Sequence, residues 1–185
     1  MEDLSLHILD ICENSIEADA TKIEIMIEEN TVQNTLLLTI KDNGKGLDKE
    51  TMSKVLDPFY TTRKTRRVGL GLPMLAQAAK EAEGDLKIES QKGKGTTITA
   101  QFVHNHIDRK PLGDIAGTLI ALITARGTER SGTDIVYEHR KNGDAFLFNT
   151  REIKKELQDV PITHPEVLNL LRKIITNGLK NLVKE

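Results

Sequence analysis

A glycine-rich step into a helix, Gly69-Leu70-Gly71-Leu72, is the feature that most constrains this chain. Pro73 follows in the first helical turn, where its missing N–H costs nothing, and apolar residues keep a helical period to Ala82. Free N–H groups at such a helix start favour an anion. The stretch before it carries four cations: Arg63, Lys64, Arg66 and Arg67. This pattern predicts a phosphate-binding lid, and the alternative is an ordinary basic loop before a capped helix.

The composition narrows the classes of protein to consider. A chain of 185 residues with 38% hydrophobic and 29% charged residues suits one medium globular domain, or one domain with a small appendage. A formal net charge of -2 and only 3% aromatic residues argue against a nucleic-acid partner or a membrane surface. We find no apolar run of membrane-spanning length and no signal peptide. The single cysteine, Cys12, is expected in the core and cannot form an internal disulfide. This suits a reducing compartment, so we expect a cytoplasmic protein.

Polar residues that could carry chemistry lie on the first predicted helix and at the end of a predicted strand. The helix covers residues 3–18 with Asp3 as its cap, and Asp10 and Asn14, four residues apart, share one face. The strand ends at Asp42, where glycines at 44 and 46 give the backbone conformational freedom.

The remaining pattern predicts alternating strands and helices. Strands are expected at residues 21–28, 36–40, 86–89 and 96–102, and helices at residues 47–56 and 70–82. Past residue 103 we expect a polar linker, a helix at 112–125, a hairpin through Asn142-Gly143, a short helix capped by Thr150 and a last helix at 165–183. The predicted division is therefore a first unit at 1–103 and an extension at 104–185, used for packing or for docking a partner.

Five motifs in this order resemble the ATPase domain shared by gyrase, Hsp90, histidine kinases and MutL. They are the helix with Asp10 and Asn14, then DNGKGL, DPFYTTRK, GLGL and GKGTT. The lid half is most similar to histidine kinases and anti-sigma-factor serine kinases, whereas ENSIEADA is more similar to MutL. The resemblance covers roughly residues 3–103. It implies a two-layer α/β sandwich that binds Mg-ATP, with helices on one face of a mixed, largely antiparallel sheet, followed here by an α-β-β-α-α extension.

The resemblance assigns roles at the adenine end. Asp42 would accept a hydrogen bond from the adenine amino group, with Gly44 and Gly46 letting the backbone approach the ring. Thr96 would support adenine recognition, often through water, although it also suits a strand as a β-branched residue. The alternative for Asp42 is a plain Asp-Asn-Gly turn without a ligand.

At the phosphate end, Asn14 would be the magnesium ligand, since a neutral oxygen suits Mg²⁺ held mainly by phosphates and water. The alternative is an asparagine on a helix surface. Candidates for phosphate contacts are Lys64, Arg66, Arg67, Gly69, Leu70, Gly71 and Leu72.

Asp10 departs from the family pattern. Hydrolysing members usually carry Glu there as general base, and histidine kinases commonly carry an amide. Asp keeps the carboxylate but is one methylene shorter, so Asp10 is a catalytic candidate that permits base catalysis. His7, one turn earlier, is expected at the border of the apolar stripe.

The chain begins at the nucleotide-binding helix, so we expect it not to be a self-contained histidine kinase. The favoured hypothesis is a regulatory kinase that acts on a separate protein partner, and a homodimer is possible. Alternatives are an ATP-driven conformational switch and a non-catalytic nucleotide sensor. His104 and His106 have the spacing of two metal ligands on a strand, but without an evident third ligand a polar linker is favoured.

Overall fold

The computed structural model describes residues 1–55, 71–125 and 132–183, which form two layers of helices and strands. In the first part of the chain these elements are α1 (Leu4–Glu17), β1 (Lys22–Asn30), β2 (Thr35–Asp42), α2 (Lys49–Lys54), α3 (Gly71–Glu81), β3 (Asp85–Gln91) and β4 (Gly95–Val103). The second part contains α4 (Ile115–Thr124), β5 (Asp134–Lys141), β6 (Asp144–Asn149), α5 (Thr150–Leu157) and α6 (Pro165–Val183). The expected α/β sandwich and its α-β-β-α-α extension are both present.

Six strands form one sheet in the order β3-β4-β2-β1-β5-β6. Every neighbouring pair is antiparallel except β1 and β5, which run parallel. Alternate residues of the two central strands are buried, as in Ile23, Ile25 and Ile27 of β1, because their period-2 pattern points one side chain in two at the helices. Helix α1 packs against both α3 and α4 on that side. The sheet is therefore mixed and largely antiparallel, as predicted.

The extension shares this sheet with the first part of the chain. The strand β1 pairs with β2 on one side and with β5 on the other, matching Ile23 with Ile135. The hairpin turn has the positive φ angles that Asn142-Gly143 predicts, +51° and +105°. The boundary expected after residue 103 stays a prediction, while β5 and β6 extend the same hydrogen-bonded ladder.

The apolar helices of the extension pack inward. Helix α4 buries Leu119 and Leu122 beside α1, and the Thr118 hydroxyl donates to the carbonyl oxygen of Ser5 at 3.3 Å. Helix α6 buries Leu171 and Ile175. Among the helices that the structure describes, none has the length and apolar character needed to cross a bilayer. The sequence alone allowed two uses for the apolar residues of α4, packing within the chain or docking of a partner. Their burial shows that they pack within the chain.

One predicted helix cap is wrong. The cap of α5 is Asn149, whose side chain accepts from the Arg151 N–H at 3.0 Å, and Thr150 is the first helical residue. The Thr150 hydroxyl instead accepts a hydrogen bond from the Ile135 N–H at 2.8 Å. Asn and Thr are both common cap residues, so the local sequence cannot choose between Asn149 and Thr150. The hydrogen bond from Ile135 to Thr150 makes the choice. In contrast, Asp3 caps α1 as expected, accepting from the Leu6 N–H.

A partly buried carboxylate joins three segments at the far end of β1. The two oxygens of Glu29 lie 2.7 Å from Nε2 of His104 and 2.8 Å from Nε2 of His139 on β5. Burial raises the pKa of Glu29, but the hydrogen bonds and attraction from the two histidines outweigh it and lower the pKa to about 2. The described residues hold no group of three His, Cys, Asp or Glu side chains suited to a metal ion. His104 thus belongs to a structural cluster rather than to a pair with His106.

This cluster predicts a pH-dependent loss of stability. A carboxylate with a lowered folded-state pKa stabilises the fold above its unfolded pKa of 4.5 and loses that contribution as the pH falls toward 2. We expect Glu29→Gln to lower the free energy of unfolding by about 2 kcal/mol at pH 7. The difference from the unmodified chain should shrink below about pH 5, measured by urea unfolding at several pH values.

Glu28→Gln is the matched control, because Glu28 precedes Glu29 on the same strand and points to the opposite face of the sheet. It should change stability by less than about 0.5 kcal/mol. A Glu29→Gln difference that stays constant from pH 7 to pH 4 would contradict this account of the cluster.

Candidate functional site

Asp42, the last residue of β2, is the most tightly held polar side chain of the predicted site. Only 8% of it is exposed, so its carboxylate needs hydrogen-bond donors in place of water. Oδ1 accepts from the N–H groups of Gly44 at 2.8 Å and Thr96 at 3.3 Å. Oδ2 accepts from the hydroxyl of Ser15 at 2.9 Å. Three donors from α1, β4 and the turn after β2 therefore orient one carboxylate.

Glycines surround Asp42 because other backbone lies where side chains would be. A Cβ on Gly95 would lie 2.0 Å from the carbonyl oxygen of Asp42, and one on Gly44 would lie 2.6 Å from that of Ala18. Gly46 has a φ of +63°, and its Cβ would lie 2.1 Å from the Gln91 carbonyl oxygen. These contacts bring the turn after β2 against the end of α1 and the β3–β4 turn. The close approach observed at Gly44 and Gly46 is to other backbone of this chain, and their approach to an adenine ring stays a prediction.

Thr96 lies at the start of β4, beside Asp42. Its hydroxyl is 2.8 Å from that of Ser90 on β3, which also donates to the Gly95 carbonyl at 3.0 Å. Ser90 in turn accepts from the Leu47 N–H at 2.8 Å. Sequence reasoning named Thr96 but not Ser90, whose position on a half-buried strand face was the only available hint.

Asp10 on α1 meets the first residue of α3. A Cβ on Gly71 would lie 1.8 Å from Oδ2 of Asp10, so only glycine admits the carboxylate at this distance. Leu72, the next residue, is partly buried against the core. The fold therefore brings the predicted base to the helix start that the sequence predicts for phosphate. Other predicted phosphate contacts, at Lys64, Arg66, Arg67, Gly69 and Leu70, lie outside the described residues.

Asn14 lies one turn after Asp10 on α1 and is half-buried. Its side chain carries an amide oxygen, a hard oxygen donor of the kind that Mg²⁺ takes in proteins. One or two protein oxygens are also what a magnesium ion held mainly by nucleotide phosphates requires. The donor set fits the predicted ion.

His7 is not the border residue that we expected, since only 1% of it is exposed. Neither ring nitrogen has a hydrogen-bond partner within the described parts of the chain. Burial, helped by the positive N-terminus, lowers the pKa of His7 to about 4. The imidazole is therefore neutral near pH 7 and adds no positive charge beside Asp10.

Ser15 is the clearest residue that sequence reasoning missed. It lies in the apolar stripe of α1 and is buried, with 4% exposed. A hydroxyl in such a stripe needs a partner, which was the available hint, but the partner lies 27 residues away on another element. Only the packing of α1 on β2 shows that this partner is Asp42.

Comparison with known proteins assigns the chain to a family. Residues 2–106 match the family described as histidine kinase-, DNA gyrase B- and HSP90-like ATPase. This match covers more than half of the chain, and it includes Asp10, Asn14, Asp42 and Thr96. The protein therefore belongs to this family of ATP-binding domains.

Several curated relatives are kinases. Sporulation kinase C of Bacillus subtilis (strain 168) is 36% identical over 90 residues, which are 49% of this chain and 21% of that protein. Sporulation kinase E of the same organism is 36% identical over 106 residues, covering 55% of this chain and 14% of the relative. The signal transduction histidine-protein kinase AtoS of Escherichia coli (strain K12) is 32% identical over 93 residues, covering 50% and 15%. The chain thus spans about a fifth or less of these relatives.

A solved structure shares the fold over a longer stretch. The crystal structure described as the N-terminal domain of a DNA repair protein aligns with a TM-score of 0.54 and 17% sequence identity. The alignment covers 80% of this chain and 52% of the other, which is more than residues 1–103 alone could supply, so it includes part of the extension. It supports the α/β sandwich and carries no statement about function.

The tight approach at Gly95 gives a prediction. Gly93 and Gly95 both have positive φ angles, +79° and +95°. An alanine at either position therefore destabilises the fold by about 1 kcal/mol, because a Cβ is unfavourable in this left-handed backbone conformation. Only the Cβ at Gly95 would meet the Asp42 carbonyl, whereas a Cβ at Gly93 meets nothing within 4 Å. We expect Gly95→Ala to be more destabilising than Gly93→Ala by at least about 2 kcal/mol in urea unfolding. Equal destabilisation by the two variants would refute the predicted steric conflict.

Proposed function

We propose that this chain binds Mg-ATP, with the adenine against Asp42 and the phosphates at the start of α3. The observation that carries the proposal is the approach of the Asp10 carboxylate to Gly71, which joins the predicted base to the predicted anion site. The adenine end lies on the same helix, because Ser15 of α1 donates to Asp42. One helix thus links the two ends of the proposed nucleotide site.

The adenine end favours an amino group over a carbonyl group. A carboxylate only accepts hydrogen bonds, so Asp42 suits the exocyclic amino group of adenine. The carbonyl oxygen that guanine carries at the same position would face a carboxylate oxygen, leaving both acceptors without a donor. ATP is therefore the proposed ligand in preference to GTP.

At the phosphate end, Asn14 would hold the magnesium ion and Asp10 would act on the incoming nucleophile. The ion, when bound, neutralises part of the phosphate charge. The half-buried Asp10 carboxylate would accept a proton from, or orient, a hydroxyl group that approaches the terminal phosphate. The N-terminal end of α3 would stabilise phosphate oxygens through its N–H groups.

The activity we favour is phosphoryl transfer to a separate regulatory protein, in the cytoplasm and with the possibility of a homodimer. Its support is that several curated relatives of this chain are named as kinases. The rival is an ATP-hydrolysing switch that controls assembly of a partner complex. Asp10 is the residue that favours the rival, since a carboxylate at this position can activate water. A third possibility, a nucleotide sensor, requires binding without chemistry.

Titration calorimetry of the purified chain tests the binding site. We expect Asn14→Ala to abolish most of the Mg²⁺-dependent gain in ATP affinity, and Asp42→Asn to weaken ATP binding at least about tenfold. The matched controls are Asn169→Ala, on the exposed surface of α6, and Asp85→Asn, at the exposed start of β3. Failure of the unmodified chain to bind ATP would reject the proposed function.

Steady-state phosphate release separates the activities. A kinase that lacks its acceptor should release almost no phosphate from Mg-ATP, and a switch should release it slowly. If release occurs, Asp10→Asn should reduce it by a factor of about 100 while ATP remains bound. Release that is unaffected by Asp10→Asn would remove Asp10 from the chemistry.

A further inference from the structure

Ser15 donates to Asp42, but the proposed function gives it no part in the choice of the base. Its hydroxyl is buried between α1 and β2, 2.9 Å from Oδ2 of Asp42 and 3.3 Å from the carbonyl oxygen of Ile11. A hydroxyl has one proton and can donate to only one of these acceptors at a time. The carboxylate is charged and closer, so the Ser15 hydroxyl donates its hydrogen bond to Asp42 rather than to Ile11.

This donation completes the hydrogen bonding of the buried side of the Asp42 carboxylate. Oδ1 already accepts from two N–H groups, those of Gly44 and Thr96, which fill its two acceptor positions. Oδ2 accepts from Ser15 and keeps one acceptor position. Three fixed donors also define the plane of the carboxylate, which two donors on one oxygen would leave free to rotate.

From this geometry we infer that Ser15 is a positioning residue that sets the preference of the site for a 6-aminopurine. It does so by turning the remaining acceptor position of Asp42 toward the base. Without the hydroxyl, the carboxylate can rotate and bring Oδ2 away from the amino group. The inference rests on the proposed function, since it concerns how the same site recognises its nucleotide.

The test compares two nucleotides that differ only at this group. Purine riboside triphosphate lacks the 6-amino group of ATP, so the ratio of the two dissociation constants measures what that group contributes. We expect Ser15→Ala to weaken ATP binding about tenfold and to leave binding of purine riboside triphosphate unchanged. The ratio should therefore fall about tenfold in titration calorimetry.

Two further variants serve as controls for effects of packing. Ser15→Cys fills the space of the buried side chain with a slightly larger group and replaces the hydroxyl by a weak donor, so it should lose most of the preference while preserving the fold. Ser5→Ala makes the same chemical change at another buried serine of α1, whose hydroxyl donates to Asp3 at 2.7 Å. It should leave the ratio unchanged even if it lowers the melting temperature.

The outcomes are distinct. Equal weakening of both nucleotides by Ser15→Ala would assign Ser15 to packing alone and overturn the inference. An unchanged or increased preference for ATP would overturn it as well. If the unmodified chain binds neither nucleotide, the proposed function fails, whereas ATP binding with an insensitive Ser15 rejects only the inference.

Discussion

The hydrogen bonding of Asp42 is the constraint on which the candidate site depends. A buried carboxylate is costly unless donors replace its water, and here the donors come from α1, the turn after β2 and the start of β4. No one of these elements can satisfy Asp42 alone. Glycines at 44 and 95 let the backbone segments come close enough, so the chain conformation around Asp42 follows from the need to satisfy its charge.

A second carboxylate, the partly buried Glu29, is held at the other end of β1. Its two histidine partners come from the segment after β4 and from β5. The same strand also carries the parallel pairing with β5 that joins the extension to the sheet. The extension is thus attached through backbone hydrogen bonds along β1, through the packing of α4 on α1, and through a polar cluster at the end of β1 that lies away from Asp42.

Much of the fold could be predicted because its elements carry local patterns. Period-2 alternation predicted strands such as β1, and the cap Asp3 predicted where α1 begins. The errors occur where a long-range partner decides. Thr150 was expected to cap α5 but bonds to β5, and His7 was expected at a border but is buried. Neither outcome depends on neighbours in sequence.

The sequence by itself determined the order of helices and strands, the choice of Asp10, Asn14 and Asp42 as site candidates, and the glycines that permit close approach, because these depend on residue type and short spacing. The tertiary structure alone decided which groups meet. It set Asp10 against Gly71, gave Asp42 a donor in Ser15, and added β5 beside β1. Contacts of this kind join residues far apart in the chain, so they follow from the packing of helices on the sheet rather than from any local pattern.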